Sequence, residues 1–464
     1  MSEVEGLQKL RPCGRLETFS TVRHHHGYYN NVALTAAYTI SSGNSDCLEA
    51  QIYAALQAVI YKHPNLSIII ANEDKSYPDV YFARLPSIDL RNCVEFQQRK
   101  EPYRQEAVVD TELDHMLADQ HNPPSDPANF TGTWVFHHAL SDGTSALLFH
   151  DTFLEALNLL ESSLSVNPIV KSPSTPLPPP FEDQYPMTLS WSYFLNALAQ
   201  AFFPSIYARR PAKFWAGNPI PTSMPTPPKF SFRTFALSVD TTKQLAMLSK
   251  KEGVSVTATF QCLLAASIFA KLPADQYDTV KIDVPDDQMT IAIATYDFLH
   301  TRKAPDVPQE TNKSSVLQYF SWPDARAVRS TIEAELAKEG RDNSVALLKY
   351  VSEMHKFMAG NFGKPRMPSV ELSNLGVYRA KSTGKWKIER MTFTQCSNML
   401  SAAFCVNVIT GGDGCAVVNF SWCDGAVEEE LVREVCEGLK GAIEELVETR
   451  FKETSGERRE VSTM

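Results

Sequence analysis

The sequence predicts an α/β protein in two halves, and three observations carry that expectation. Helix-like and strand-like periods alternate before residue 167 and again after residue 229. Between them the composition shifts, with 14 of the 29 prolines in residues 167–229. At 464 residues the chain is too long for one ordinary domain, so two large lobes or three smaller domains are expected. The division that follows is an N-terminal lobe over 1–166, a proline-rich linker over 167–229 and a C-terminal lobe over 230–464.

Each element rests on a local pattern. Residues 46–61 place Leu48, Ile52, Leu56 and Val59 at helical spacing, with Asp46 and Glu49 where a cap and its partner belong. "LSIIIA" (66–71) and "DVYFARL" (79–85) read as strands, and a helix is expected at about 110–121 around Leu113, Met116 and Leu117. "FTGTWVFH" (130–137) is a strand by β-propensity, followed by a turn and an amphipathic helix. In the middle segment, proline density predicts two extended linkers. The helix between them (187–208) is strongly apolar and is expected to pack on a lobe; a membrane-surface role is the alternative, argued against by its lack of a basic face. The second half gives the strand "FRTFALSVD", helices over 241–253 and 255–272, and the strand "MTIAIATYDF". It continues with strands broken by the hairpin signal "GGDG" and ends in a long amphipathic helix.

Composition narrows the function. With 44 Lys and Arg against 54 Asp and Glu the net charge is −10, which argues against nucleic-acid binding. The nine cysteines (Cys13, Cys47, Cys93, Cys262, Cys396, Cys405, Cys415, Cys423, Cys436) are odd in number and form no CxxC pair. They read as free thiols in a reducing, cytoplasmic compartment. The first residues lack a signal-peptide core, and no apolar stretch is long enough to span a membrane.

The chemistry concentrates in "HHALSDG" (137–143), where two histidines follow an apolar strand and an aspartate and a glycine precede a helix. Strand alternation would put Trp134, Phe136 and His138 on one face and His137 on the other. Such a strand-turn-helix can hold a strand-end imidazole rigidly beside backbone groups; the bland alternative is a packed core histidine. "HHH" at 24–26 suggests a metal cluster, but three consecutive residues on a strand cannot face one ion and no ligands complete the shell, so no metal is expected. The turn at 378–390 carries Arg379, Lys381, Lys385, Lys387 and Arg390, and reads as a solvated hairpin or as a contact for phosphates.

These residues resemble the HHxxxDG signature of the chloramphenicol-acetyltransferase-like superfamily, which includes condensation domains and fungal alcohol O-acetyltransferases. "RHHHGYYNNVALTAAY" (23–38) is similar to the opening of the fungal alcohol O-acetyltransferases through Arg23, His24, Gly27, Tyr29, Asn31 and Val32. "SNLGVY" (373–378) and "VNFSWCDG" (418–425) resemble that superfamily's second lobe. "SWCDG" departs from the DFGWG of the plant enzymes, so Trp422 and Asp424 receive no catalytic role.

The resemblance implies two similar lobes, each a mixed sheet with helices, and a tunnel admitting acyl-CoA and acceptor from opposite faces. It implies an acetyl or short acyl transfer from a CoA thioester to a small alcohol or amine, with no metal. His138 would be the general base, Asp142 a structural aspartate paired with an arginine, and Arg302 that arginine. Gly143 would keep the turn tight and leave room for CoA. His137 would support, and the loop at 138–143 or Asn374 would supply the oxyanion donor. Arg379, Lys381 and Lys385 would meet the CoA phosphates. A monomer with at most peripheral membrane contact is expected. The rival readings are an N-acyltransferase, a carrier-protein-dependent condensation-like enzyme, and a binding protein that kept the fold without turnover.

Overall fold

The computed structural model describes residues 4, 6–41, 48–97, 129–160, 166–185, 187–203, 210–223, 228–288, 292–303, 316–381 and 383–454. The helix expected at 110–121, Asp46 and Cys47 lie outside them. In chain order the elements begin with β1 (Gln8–Pro12), α1 (Arg15–His25), β2 (Val32–Ile40) and α2 (Leu48–Lys62). Next come β3 (Ile68–Ala71), β4 (Tyr81–Arg84), β5 (Ser87–Asp89), β6 (Asn129–Phe136) and α3 (Gly143–Leu159). The middle holds β7 (Ile169–Lys171), α4 (Phe181–Gln184), α5 (Trp191–Phe202) and β8 (Phe214–Trp215). The second half runs β9 (Phe230–Ala236), α6 (Val239–Lys251), α7 (Val256–Lys271), β10 (Thr279–Gln288), β11 (Ala292–Thr301), α8 (Trp322–Leu336) and α9 (Met354–Ala359). It closes with β12 (Val370–Val377), β13 (Trp386–Gln395), β14 (Phe404–Thr410), β15 (Ala416–Cys423) and α10 (Glu429–Thr454).

Two sheets organise the molecule. The larger runs β11-β10-β12-β14-β15-β9, with β8 added beside β10. Its strands alternate cleanly: Val370 and Leu372 of β12 enter a core shared with Val406, Phe420, α7 and α10, and period two turns Glu371 and Ser373 to the opposite face. The smaller sheet is β13-β2-β6, all antiparallel, with Leu34, Tyr38, Phe130 and Phe393 packed against Val59 of α2 and Phe153 and Leu154 of α3. α7 is apolar on nearly every side and is correspondingly buried from Ala258 to Phe269.

Several expectations change. β13 lies inside the 230–464 segment, yet it pairs with β2 along Trp386–Gln395, so a boundary drawn in sequence does not separate the two sheets. Among the described residues the two main sheets are unequal, with seven strands against three, and smaller sheets β1-β4-β3 and β5-β7 lie beside them. The proline-rich segment is extended but docked: β7 pairs with β5, Arg84 donates to the Thr175 carbonyl, Arg11 to that of Pro178, and Trp215 is buried. The apolar helix α5 buries none of its residues. No single described helix is long and apolar enough to cross a membrane.

Candidate active site

β6 stops at Phe136, so His137 and His138 sit in the turn that follows rather than on the strand, and strand alternation does not set their directions. The turn is closed by Leu140 N–H donating to the His137 carbonyl at 2.9 Å and is pinned from outside by Asn65, whose amide donates to the Leu140 carbonyl at 3.2 Å. Asp142 then caps α3, its Oδ1 accepting from Ser145 N–H at 2.7 Å.

The two imidazoles take opposite hydrogen-bonding roles. His138 Nδ1 lies 3.2 Å from the Ser141 carbonyl oxygen, which can only accept, so Nδ1 carries the proton and Nε2 presents a lone pair. His137 Nδ1 accepts from Ala139 N–H at 2.9 Å, which places its proton on Nε2, a buried atom without a partner among the described residues. The pKa of both is lowered, to about 4 for His138 and about 3 for His137, chiefly by burial, with Arg23 adding to it at His138 and with His24, His138 and Arg23 adding to it at His137.

Arg23 is almost fully buried on α1, its guanidinium 4.5 Å from the Phe19 ring centre and 4.6 Å from that of Tyr29. It donates to Ser20 Oγ at 3.2 Å and meets no carboxylate within 4.0 Å among the described residues. Gly27, at φ +70°, turns the chain from α1 toward β2 and so brings Tyr29 beside His138, ring centres 5.6 Å apart. Tyr29 donates its hydroxyl proton to Gln395 Oε1 at 2.8 Å, and Gln395 Nε2 stands 3.5 Å from Glu371 Oε1. Burial raises the Glu371 pKa, and Arg23 partly offsets the rise. A polar chain thus runs from the histidine turn through β13 to the inner face of β12.

The other sequence candidates divide. Gly143 stays at the turn, but the space above it is filled: a Cβ there would stand 2.5 Å from Leu375 Cδ2. Leu375 is aimed by an irregularity in β12, where the register with β14 shifts between Asn374 and Val377 and Gly376 has φ +74°. Asn374 is adjacent to this contact, and its amide is engaged with Thr257 Oγ1 at 3.0 Å and Gly376 N–H at 2.9 Å. The pairing of Asp142 with Arg302 is not formed. Arg302 follows β11 at the far end of α7, donates to the Leu272 carbonyl at 2.9 Å and lies over Phe269 and Tyr319. Asp142 Oδ2 is buried with no partner among the described residues, and burial raises its pKa to about 6.

The basic turn is split. Arg390 is buried and paired with Asp413 at 2.8 Å, whereas Arg379, Lys381 and Lys385 are exposed. Lys381 reaches Asp151 on α3 at 3.4 Å, and Asn158 further along α3 grips both backbone groups of Trp386. These cations therefore lie along α3, from roughly 12 Å of helix beyond Gly143 at Asp151 to about 22 Å at Asn158 at 1.5 Å per residue, and are not brought against His138.

The "HHH" run occupies the end of α1 rather than a strand, and its members fan apart. His24 bonds Glu73 at 3.1 Å, and His26 bonds His355 at 2.9 Å. His24, Glu73 and His137 come within 4.8 Å of one another through ligand-type atoms. To ligate a cation, His137 would have to surrender its lone pair at Nδ1 from the Ala139 amide or lose its Nε2 proton, so the existing hydrogen bonds oppose that use. The sequence reading gave no role to Asn65, Leu375, Gln395 and Glu371. Glu371 alone carried a usable signal, an acid set between the apolar Val370 and Leu372.

Comparison with known proteins follows the same line. The alcohol acetyltransferase family model matches residues 330–443. A probable alcohol acetyltransferase, crmB, of Aspergillus fumigatus is 29% identical, the match covering 92% of this chain and 97% of that protein. Among solved structures, the trichothecene 15-O-acetyltransferase TRI3 of Fusarium sporotrichioides superposes with TM-score 0.65 at 12% identity, over 95% of each chain. The first condensation domain of the calcium-dependent antibiotic synthetase gives 0.60 at 11%, over 96% of this chain and 97% of that one. Both structural likenesses bear on the fold, which is that of the chloramphenicol-acetyltransferase-like acyltransferases and condensation domains.

Proposed function

We propose that this chain, similar to the alcohol acetyltransferases, moves an acetyl or short acyl group from acyl-CoA to the hydroxyl of a small alcohol within a ternary complex, with His138 as general base. The observation that carries this reading is the Nδ1–H of His138 held by the Ser141 carbonyl, which leaves Nε2 as the acceptor of a proton. In the proposed step Nε2 takes the hydroxyl proton as the oxygen attacks the thioester carbonyl. The tetrahedral intermediate collapses by breaking the C–S bond, and the imidazolium returns its proton to the departing CoA sulfur. The buried charge of Arg23 favours the developing oxyanion, as does the orphaned Nε2–H of His137. Asp142 and Gly143 hold the turn, and Asn374, whose side-chain amide is bonded to Thr257 and Gly376, braces the segment that carries Leu375.

CoA separates its thioester from its phosphates by the pantetheine arm, so Arg379, Lys381 and Lys385 are proposed as phosphate contacts well away from the base. Enzyme acylation is disfavoured by the thiols themselves. Burial pushes Cys423 to about 11 and Cys262 well above the ordinary thiol range. The free cysteines support a reducing, cytoplasmic setting, and a monomer is proposed. A second reading, transfer to an amine, is favoured by Glu371, an inward carboxylate on β12 that would attract an ammonium, its register partner Asp283 on β10 being already engaged by Lys281 at 3.6 Å.

Varying acetyl-CoA and acceptor together should give intersecting initial-velocity lines, and enzyme mixed with acetyl-CoA alone should show no mass adduct. Parallel lines with a competent acetyl adduct on Cys262 or Cys423 would overturn direct transfer.

A further inference from the structure

α5 is an amphipathic helix mounted the wrong way round for a soluble protein. Trp191, Leu195, Leu198 and Phe202 recur at i, i+4, i+7 and i+11 and so form one stripe. In a helix packed on its own lobe that stripe faces the core. Here it faces solvent: Trp191 is 77% exposed, Leu195 56%, Leu198 36% and Phe202 73%, and Phe203 beyond the helix is 57% exposed. The contact with the body is made by the other side, through Tyr193 and Phe194, the latter 4.8 Å from the Tyr350 ring. The helix is nevertheless firmly started. Ser190 caps it through Tyr193 N–H at 3.2 Å, and Asp342 accepts from both the Ser190 backbone N–H at 2.6 Å and its hydroxyl at 3.0 Å.

Three properties point to the occupant. Residues 187–208 contain no Asp, Glu, Lys or Arg, and the polar residues flanking the stripe are the uncharged Ser192, Asn196 and Gln200. A helix with a strong apolar face and a small uncharged polar face suits the boundary between headgroups and acyl chains, where insertion depends on packing defects more than on charge. In sequence the basic residues Arg209, Arg210 and Lys213 follow the apolar segment, a composition compatible with headgroup phosphates, while the −10 net charge of the chain opposes strongly anionic surfaces. A second copy fits less well. A helix of 12 residues is about 18 Å long, so one face offers a few hundred Å², short of the ~800 Å² per partner of a stable interface.

We propose that α5 is a lipid-surface anchor that lays its Trp191–Phe202 stripe into a zwitterionic membrane with loosely packed chains. The proposal goes beyond the acyltransferase reading and does not depend on it. It places the catalytic body at the surface into which apolar acceptors would partition.

The test is flotation of the full chain with small sonicated vesicles of dioleoyl phosphatidylcholine, alongside a triple variant carrying Leu195→Ser, Leu198→Ser and Phe202→Ser. The expected result is vesicle binding by the wild type, weaker on large flat vesicles, and a loss of ~tenfold or more in the variant. Melting temperature and acetyl transfer to a water-soluble alcohol should stay unchanged in the variant. A wild type that stays unbound overturns the proposal. So does a wild-type dimer that the triple variant dissociates. A marked fall in melting temperature would also overturn it, because it would mean that the folded chain itself covers the stripe.

Discussion

His137 and His138 are neighbours in the chain, share a turn and are both kept neutral by burial, yet their hydrogen bonds make them chemical opposites. One ring nitrogen of His137 receives a backbone N–H, whereas the matching nitrogen of His138 faces a backbone carbonyl. The first arrangement produces a donor, the second a base. What separates the two is two backbone groups of a six-residue turn, so the turn, more than the histidines, defines the chemistry.

The largest expected effect tests the base directly. His138→Ala should lower kcat for acetyl transfer by ~10²–10⁴-fold with little change in KM for acetyl-CoA. His137→Ala should lose far less, on the order of tenfold, since it forfeits one electrostatic donor and no proton acceptor. Steady-state kinetics of both variants settle the contrast, and a reversal of the two magnitudes would exchange their assignments.

A second test concerns the charge beneath both rings. With its pKa lowered to about 4, His138 is neutral and competent above that pH, so kcat/KM should hold through mildly acid conditions and fall as pH drops toward 4. Arg23 supports that lowering. Arg23→Met should therefore move the acid limb upward and cost several-fold in activity at pH 5 relative to pH 8. Arg23→Lys, which keeps the charge, should restore most of the wild-type profile. An acid limb that stays in place in Arg23→Met would reduce Arg23 to a packing residue.

The sequence made the turn legible because its signals are local. Asp142 at a cap position, Gly143 after it and an apolar helical period on α3 are all read within ten residues. The larger sheet was legible for the same reason, through β9, β14 and β15. The division of the chain at residue 230 failed at β13 for another reason. Its strand period is plain, but whether it joins β14 or crosses to β2 depends on pairing across more than 340 positions, as between Trp386 and Ile40, and nothing local encodes that. The polar chain from Tyr29 through Gln395 to Glu371 was invisible on the same account, because each link joins residues remote in sequence. α5 misled because amphipathic period reports a stripe and not which way the stripe faces.

Asp142 bears on the stability of the turn and not on the rate, and there the sequence expectation and the structure predict opposite signs. An aspartate paired with a buried arginine has a lowered pKa, and its stabilisation is present above the unfolded value and lost as pH falls. Here burial without a partner at Oδ2 raises the pKa from 3.8 to about 6. A raised carboxyl contributes stability that is full below 3.8 and lost as pH rises through about 6, so at pH 8 the ionised side chain is a burden. Asn keeps the cap, since its carbonyl oxygen can accept from Ser145 N–H, and it cannot ionise. Denaturant melts of Asp142→Asn should therefore gain stability relative to wild type between pH 4 and pH 8, by at most about 3 kcal/mol for a two-unit shift. Asp142→Ala should also shed the ionisation but lose the cap, leaving it about 1 kcal/mol below Asp142→Asn at every pH. If wild type instead gains on Asp142→Asn as pH rises, Asp142 is held by a positive charge in the folded protein and the cap is not its main role.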